Sequence, residues 1–173
     1  MSNLDSKLKE LIITFKKLRD PISGCPWDKE QDFKSIASSA IEESYEVADA
    51  IEREDFEDLK AELGDLFFQI IFHSEMAKEK NLFTLEDIVD ELNAKLIRRH
   101  PHVFHDGSVK DAEDSLRIWE DIKAEERSAK NLSSVMDDVP KNLPSLTRTK
   151  KLQKRATRVG FDWKNSEDIF AKV

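Results

Sequence analysis

From Trp27 to His100 the chain carries no proline and a single glycine, Gly64, so nothing in that stretch obliges the backbone to leave a helix. The five prolines all lie outside it, at 21, 26, 101, 140 and 144. Asp28 followed by Gln31 reads as a capping box, opening a helix to about Arg53 with Ile36, Ala40, Val47 and Ile51 at helical spacing. Asp55 with Asp58 restarts a second helix, Phe56 to about Lys78, with an apolar face of Leu59, Leu63, Leu66, Phe67 and Ile70. So short a connection makes the two helices pack antiparallel. Thr84 opens a third helix along Leu85, Ile88, Val89, Leu92 and Leu96, which Pro101 ends. Further helices are predicted from Leu4 to about Leu18 and from about Ser115 to Ala129.

These elements make the fold class all-α, an antiparallel helical bundle. Four glycines in 173 residues argue against a β-sandwich or a glycine-looped nucleotide fold. Ten Phe and three Trp supply a core that a disordered chain would lack. The net charge of −8 disfavours non-specific binding to a nucleic-acid backbone, while it allows an anionic ligand bridged by metal. No apolar run reaches the roughly 18–20 residues of a membrane span, and the first residues lack a secretory signal's apolar core. One cysteine, Cys25, makes no internal disulfide, and the expected location is the cytoplasm. Residues 1–130 read as one domain, and 131–145, rich in Ser, Asp and Pro, as a linker. Residues 146–173 form a basic helical tail whose Gly160-Phe-Asp-Trp163-Lys-Asn echoes Gly24-Cys-Pro-Trp27-Asp-Lys, like the start of a second, incomplete copy.

Chemistry concentrates in acids. Glu42, Glu43 and Glu46 lie on the first long helix, and Glu62 and Asp65 on the second. On a helical wheel Glu43 falls between Ile36 and Val47, inside the apolar face, with Glu46 at its edge. Glu62 and Asp65 flank the face of Leu59, Leu63 and Leu66. Two antiparallel helices bring Glu43, Glu46, Glu62 and Asp65 to one seam. An unpaired ion held from water costs several kcal/mol, so a cation is required there. Oxygen donors on rigid helices suit a hard ion, Mg²⁺ first and Mn²⁺ as a substitute. The alternative is that these acids are solvated or paired with lysines, most readily for Glu42. A di-iron centre would need Glu three residues before His, and no His here has one.

Lys95 and Arg99, one turn apart, and Arg98 end the third helix. They serve either as phosphate ligands or as cations complementing the helix dipole. Trp119 is a base-stacking ring or a core aromatic, and Lys123, one turn on, faces phosphate or solvent. His100, His102 and His105 lie too irregularly for zinc and read as a structural turn. His73 reads as a core histidine with a satisfied hydrogen bond, and Trp27 as a staple over the helix start.

The ordered blocks GCPWDKEQ, EESYE, ELGDLFFQIIFH, KLIRRHPHVF and WEDIK, spanning about residues 4 to 128, resemble the MazG nucleoside triphosphate pyrophosphohydrolases. The resemblance implies an all-α bundle completed by dimerisation, binding Mg²⁺ and a nucleoside triphosphate. It implies Glu43, Glu46, Glu62 and Asp65 as metal ligands, with Glu42 adjoining the nucleotide and completing the catalytic set. Lys95, Arg98, Arg99 and Trp119 match its nucleotide-binding positions, with Lys123 beside them. The implied reaction is attack of water at the α-phosphorus, releasing a monophosphate and pyrophosphate. Related dUTP and phosphoribosyl-ATP pyrophosphohydrolases share the acid logic. Larger members hold two such domains, and a second acid motif is absent here, so a metal-binding dimerisation half without turnover is the competing expectation.

Overall fold

A computed structural model describes residues 3–129, 134–162 and 165 of the chain. Eight helices are present among them, with no strand: α1 (Asn3–Leu18), α2 (Pro26–Glu30), α3 (Ala37–Glu52), α4 (Phe56–Glu79), α5 (Leu85–Arg99), α6 (Pro101–Phe104), α7 (Ala112–Ser128) and α8 (Ser145–Arg158). The all-α expectation holds. The chain divides into two compact units, one through Lys95 and one from Leu96. The three-part division drawn from sequence thus stands beside a different compact partition. Residues 131–133 of its linker, with Trp163, Lys164 and residues 166–173, lie outside the described residues.

In the first unit α4 is the spine, with α3 and α1 against it. Its core joins Phe15 of α1, Ile36 before α3, and Ile71, Phe72 and Met76 of α4, with Phe33, Phe68 and Leu85 packed around them. The apolar face of α4 differs from the sequence expectation. Its buried residues run from Gln69 to Ala77, whereas Leu63, Phe67 and Ile70 stay 38–49% exposed. Twenty-four residues of helix outrun the single layer available to cover them, so only the C-terminal half is enclosed.

The first long helix is also not continuous. Gln31 is extended (φ −71°, ψ 142°), and its amide nitrogen donates to Trp27 O instead of closing a capping box. Asp32 turns the chain, its Oδ1 accepting from the backbone N–H of Lys34 and Ser35, while its own N–H donates to Ser35 Oγ. Local side-chain bonding of this kind competes with helix, and here it lets Phe33 and Ile36 turn into the core. Trp27 remains exposed. Gly24 permits the preceding turn, since a Cβ there would meet Leu18 O at 2.4 Å.

The α3–α4 turn is three residues long and closes by a Schellman motif: Asp55 N–H donates to Ala50 O and Glu54 N–H to Ile51 O. Glu54 takes the left-handed position (φ 55°) that glycine usually fills. Arg53 clasps the turn, pairing with Asp49, Asp55 and Asp58, and Asp55 caps α4 through Asp58 N–H. The predicted restart at Asp55 is therefore present, as is the Thr84 opening of α5, where Thr84 and Asp87 exchange hydrogen bonds.

In the second unit α8 is joined to α7 by Glu120. This carboxylate accepts from Lys154 Nζ at 3.2 Å and Arg158 at 2.7 Å, with Lys123 Nζ at 3.8 Å. The Arg158 hydrogen bond, then Lys154, hold the carboxyl down to about 2 against burial. An unfolded glutamate titrates near 4.3, so stability from this group is fully present above about pH 5 and drains away as pH falls toward 2. Glu120→Gln should lower stability at neutral pH and flatten its decline between about pH 5 and 2. Urea unfolding at stepped pH measures both, and an acid limb identical to the wild type refutes the assignment.

Candidate functional site

Helix α3 carries Glu43 and Glu46 one turn apart, and α4 carries Glu62 and Asp65 in the same relation. The tight, arginine-clasped turn between the helices fixes their register. Glu43, Glu62 and Asp65 each offer an oxygen, the three lying within 4.8 Å of one another. Glu46 is outside that trio but close enough to interact with both Glu43 and Glu62. Glu42, on the same helix, is exposed.

The electrostatics of the cluster are unbalanced. Among the described residues none of Glu43, Glu46, Glu62 and Asp65 has a lysine or arginine within ion-pair distance. Burial, then Glu46 and Asp65, push the Glu43 carboxyl above its ordinary value. Burial, then Glu46, do the same to Glu62. A convergent set of carboxylate oxygens with no internal counter-ion fits a hard divalent cation, whose charge would relieve this repulsion.

The basic positions divide between the units. Lys95, half-buried, closes the first. In the second, Arg98 and Arg99 of α5 meet α7 around Trp119 and Glu126. The Arg99 guanidinium carbon lies 5.6 Å from the Trp119 ring centroid and Lys123 Nζ 4.0 Å from it, two cation–π contacts on one half-buried ring. Burial lowers the Lys123 pKa, and the nearby arginines push the same way while Glu120 opposes. Glu126 accepts from both arginines: Arg98 Nε at 2.7 Å, and Arg99 through Nε at 3.1 Å and its terminal nitrogen at 2.5 Å. The sequence reading passed over Glu126. Its spacing from Trp119 and Lys123, seven and three residues, places all three on one face of α7 and was the available signal.

His73 is half-buried and stacks on Phe33, with centroids 5.9 Å apart and planes 2° from parallel, and burial lowers its pKa. Its contact is thus a ring rather than the hydrogen bond expected. His100 Nδ1 lies 2.7 Å from Leu96 O and His102 Nε2 3.2 Å from Ser115 Oγ, and neither belongs to the metal-competent set found among the described residues. No helix among them is long and apolar enough to cross a membrane.

Residues 31–104 match the family model described as the MazG nucleotide pyrophosphohydrolase domain. This range holds the five acids, Lys95, Arg98 and Arg99, and leaves Trp119 and Lys123 beyond it. The chain is 49% identical over 168 residues to a nucleoside triphosphate pyrophosphohydrolase of Escherichia coli (strain K12), covering 97% of this chain and 64% of that protein. It is 42% identical over 165 residues to the nucleoside triphosphate pyrophosphohydrolase/pyrophosphatase MazG of Thermotoga maritima, covering 95% and 62%. The chain therefore spans a little under two thirds of these relatives' length. Among solved structures, the crystal structure of a mazG-related protein from Thermotoga maritima matches with a TM-score of 0.55 at 25% identity, covering 69% of this chain and 98% of that one.

Proposed function

We propose, from the membership of residues 31–104 in the MazG nucleotide pyrophosphohydrolase domain family, that this chain hydrolyses nucleoside triphosphates to monophosphates and pyrophosphate, a reaction suited to clearing unwanted nucleotides from the pool. The observation that carries the reading is the uncompensated carboxylate trio of Glu43, Glu62 and Asp65. Glu43, Glu46, Glu62 and Asp65 would hold the divalent cation, Mg²⁺ or Mn²⁺, which neutralises phosphate charge and lowers the pKa of a water molecule.

The chain's own residues supply the rest. The rigid α3–α4 hairpin keeps the acids in register without reorganisation. Lys95, Arg98, Arg99 and Trp119 take the nucleotide-binding role that the family resemblance gives them, arginine forks suiting phosphate oxygens and the indole a base, and Lys123, one turn from Trp119, adds a further cation for phosphate. In the reaction the water oxygen bonds to the α-phosphorus, the bond from that phosphorus to the α–β bridging oxygen breaks, and pyrophosphate leaves. Glu42 or Glu46 takes the water's proton. The partly exposed row Leu63, Phe67 and Ile70 on α4, with Ile41 and Tyr45 on α3, supports completion of the bundle by a second copy.

The test is a triphosphate panel that includes dUTP, oxidised purine nucleotides and phosphoribosyl-ATP, assayed with and without Mg²⁺, with solution mass measured by light scattering. Pyrophosphate and monophosphate in equal amounts, dependent on Mg²⁺, are expected from a dimer. Orthophosphate with a diphosphate left behind contradicts the bond assignment. A stable dimer with no turnover on any substrate would instead establish the non-catalytic half.

A further inference from the structure

Arg98 and Arg99 are not free to take a ligand as they stand. A guanidinium presents a fork, Nε with one terminal nitrogen, that matches two oxygens of a carboxylate or phosphate. Glu126 fills that fork on both residues, since Arg98 places Nε and a terminal nitrogen at 2.7 and 2.6 Å from one oxygen. Arg99 spans its Nε and terminal nitrogen onto the other oxygen at 3.1 and 2.5 Å. The carboxylate side chain is only 20% exposed and that of Arg99 18%, so water competes weakly for the contact. The two arginines hold the Glu126 carboxyl down to about 2, which keeps it ionised throughout the neutral range. Around the same point stand Lys123 and the Trp119 ring, so a carboxylate occupies the centre of a cationic, aromatic-backed surface.

We propose that Glu126 is an internal stand-in for phosphate, filling the Arg98 and Arg99 forks so that an anionic ligand engages them only by displacing it. This rests on the reading that these arginines receive the phosphates of a nucleotide. Displacement exchanges one charge-assisted pair for another. A polyphosphate carries enough charge to make the exchange favourable, while a singly charged anion at the same concentration does not, and the device thereby selects for multiply charged phosphates.

The test uses equilibrium binding of inorganic tripolyphosphate to the full chain without divalent metal, read by calorimetry. Glu126→Gln should tighten binding by about tenfold, the worth of one hydrogen bond to a charged group. Glu125→Gln removes the same charge from an exposed neighbour on the same helix and sets the scale of the long-range effect, expected below about threefold under screening by salt. Adding Arg99→Gln to Glu126→Gln should abolish the gain. Glu126→Asp, with a shorter reach, gives an intermediate affinity and serves if the glutamine variant unfolds. Tightening by Glu126→Gln no greater than by Glu125→Gln, or a loss of affinity, overturns the stand-in role. If Arg99→Gln alone still weakens binding in that case, the anion-binding role of Arg99 survives. Affinity indifferent to Arg99 in every background overturns both.

Discussion

Replacing Glu62 with glutamine is expected to lower Mg²⁺-dependent pyrophosphate release by about a thousandfold, several kcal/mol of lost charge stabilisation at roughly 1.4 kcal/mol per factor of ten. The fold should not suffer. Glu62 is half-buried on α4, and its carboxyl is crowded by Glu46, Asp58 and Asp65 rather than held by a cation. A carboxyl whose folded pKa is raised binds its proton more tightly when folded. Its charge therefore weighs against folding above that pKa, and the penalty is relieved as pH falls through it. Glutamine has the same shape without the charge, so in chelator the variant should melt at or above the wild-type temperature at pH 7. In Mg²⁺ the order should reverse, because the wild type gains more from an ion bound to the folded state. Rate and melting temperature, each with and without Mg²⁺, give four numbers that separate a lost ligand from a damaged helix. A variant within threefold of the wild-type rate removes Glu62 from the catalytic set, and one already unfolded in chelator refutes the claim that its charge weighs against folding.

Such opposed effects on activity and stability are what a sequence can announce. An acid inside an apolar helical stripe is a local contradiction, and that contradiction at Glu43, with Glu62 bordering the stripe of its own helix, was visible in spacing alone. The cap of Asp55 with Asp58 and the helix opening at Thr84 depend on neighbours within one turn, and both are present as read, Thr84 being held by Asp87. The misreadings arose where a distant partner decides. Asp28 and Gln31 have the residue types of a capping box, yet Asp28 is buried, its carbonyl accepts from Arg19, and the chain unwinds at Gln31. Arg19 reaches that carbonyl from α1 while its other nitrogens grip Glu79 of α4 at 2.7 Å, a three-way tie that no window of adjacent residues contains.

The α4 stripe shows the same limit. Leu63, Phe67 and Ile70 repeat as regularly as any core face, but periodicity reports that a face is apolar and not what covers it. In one chain they stay partly exposed, and the covered residues lie further along, including Gln69, Ser74 and Glu75, which composition alone would have placed outside. Glu126 escaped for a related reason. A glutamate in a charged helix is ordinarily solvated, and only the folded arrangement reveals that two arginines converge on it.

Phe72→Ala is expected to be the most damaging single change to the fold, removing about 3–5 kcal/mol from a whole-domain stability of about 5–15 kcal/mol. The ring is 0% exposed, lies 6.2 Å from Phe15 and 5.4 Å from Phe68 between centroids, and has the Arg19 guanidinium 5.1 Å above it. Alanine leaves a cavity bordered by two other rings, which cannot collapse into it without drawing α1 along α4. It also strips the apolar support from an arginine whose side chain is 8% exposed and which ties the end of α1 to Glu79 and to the carbonyls of Asp28 and Gln31. The melting temperature should fall by roughly 10 °C, and the loss should not depend on protein concentration, because every partner of the ring belongs to the same chain. Phe72→Leu keeps most of the volume and should recover at least half of the loss. If alanine costs less than about 1 kcal/mol by urea unfolding, or if leucine recovers nothing, α1 is not anchored on α4 through this ring.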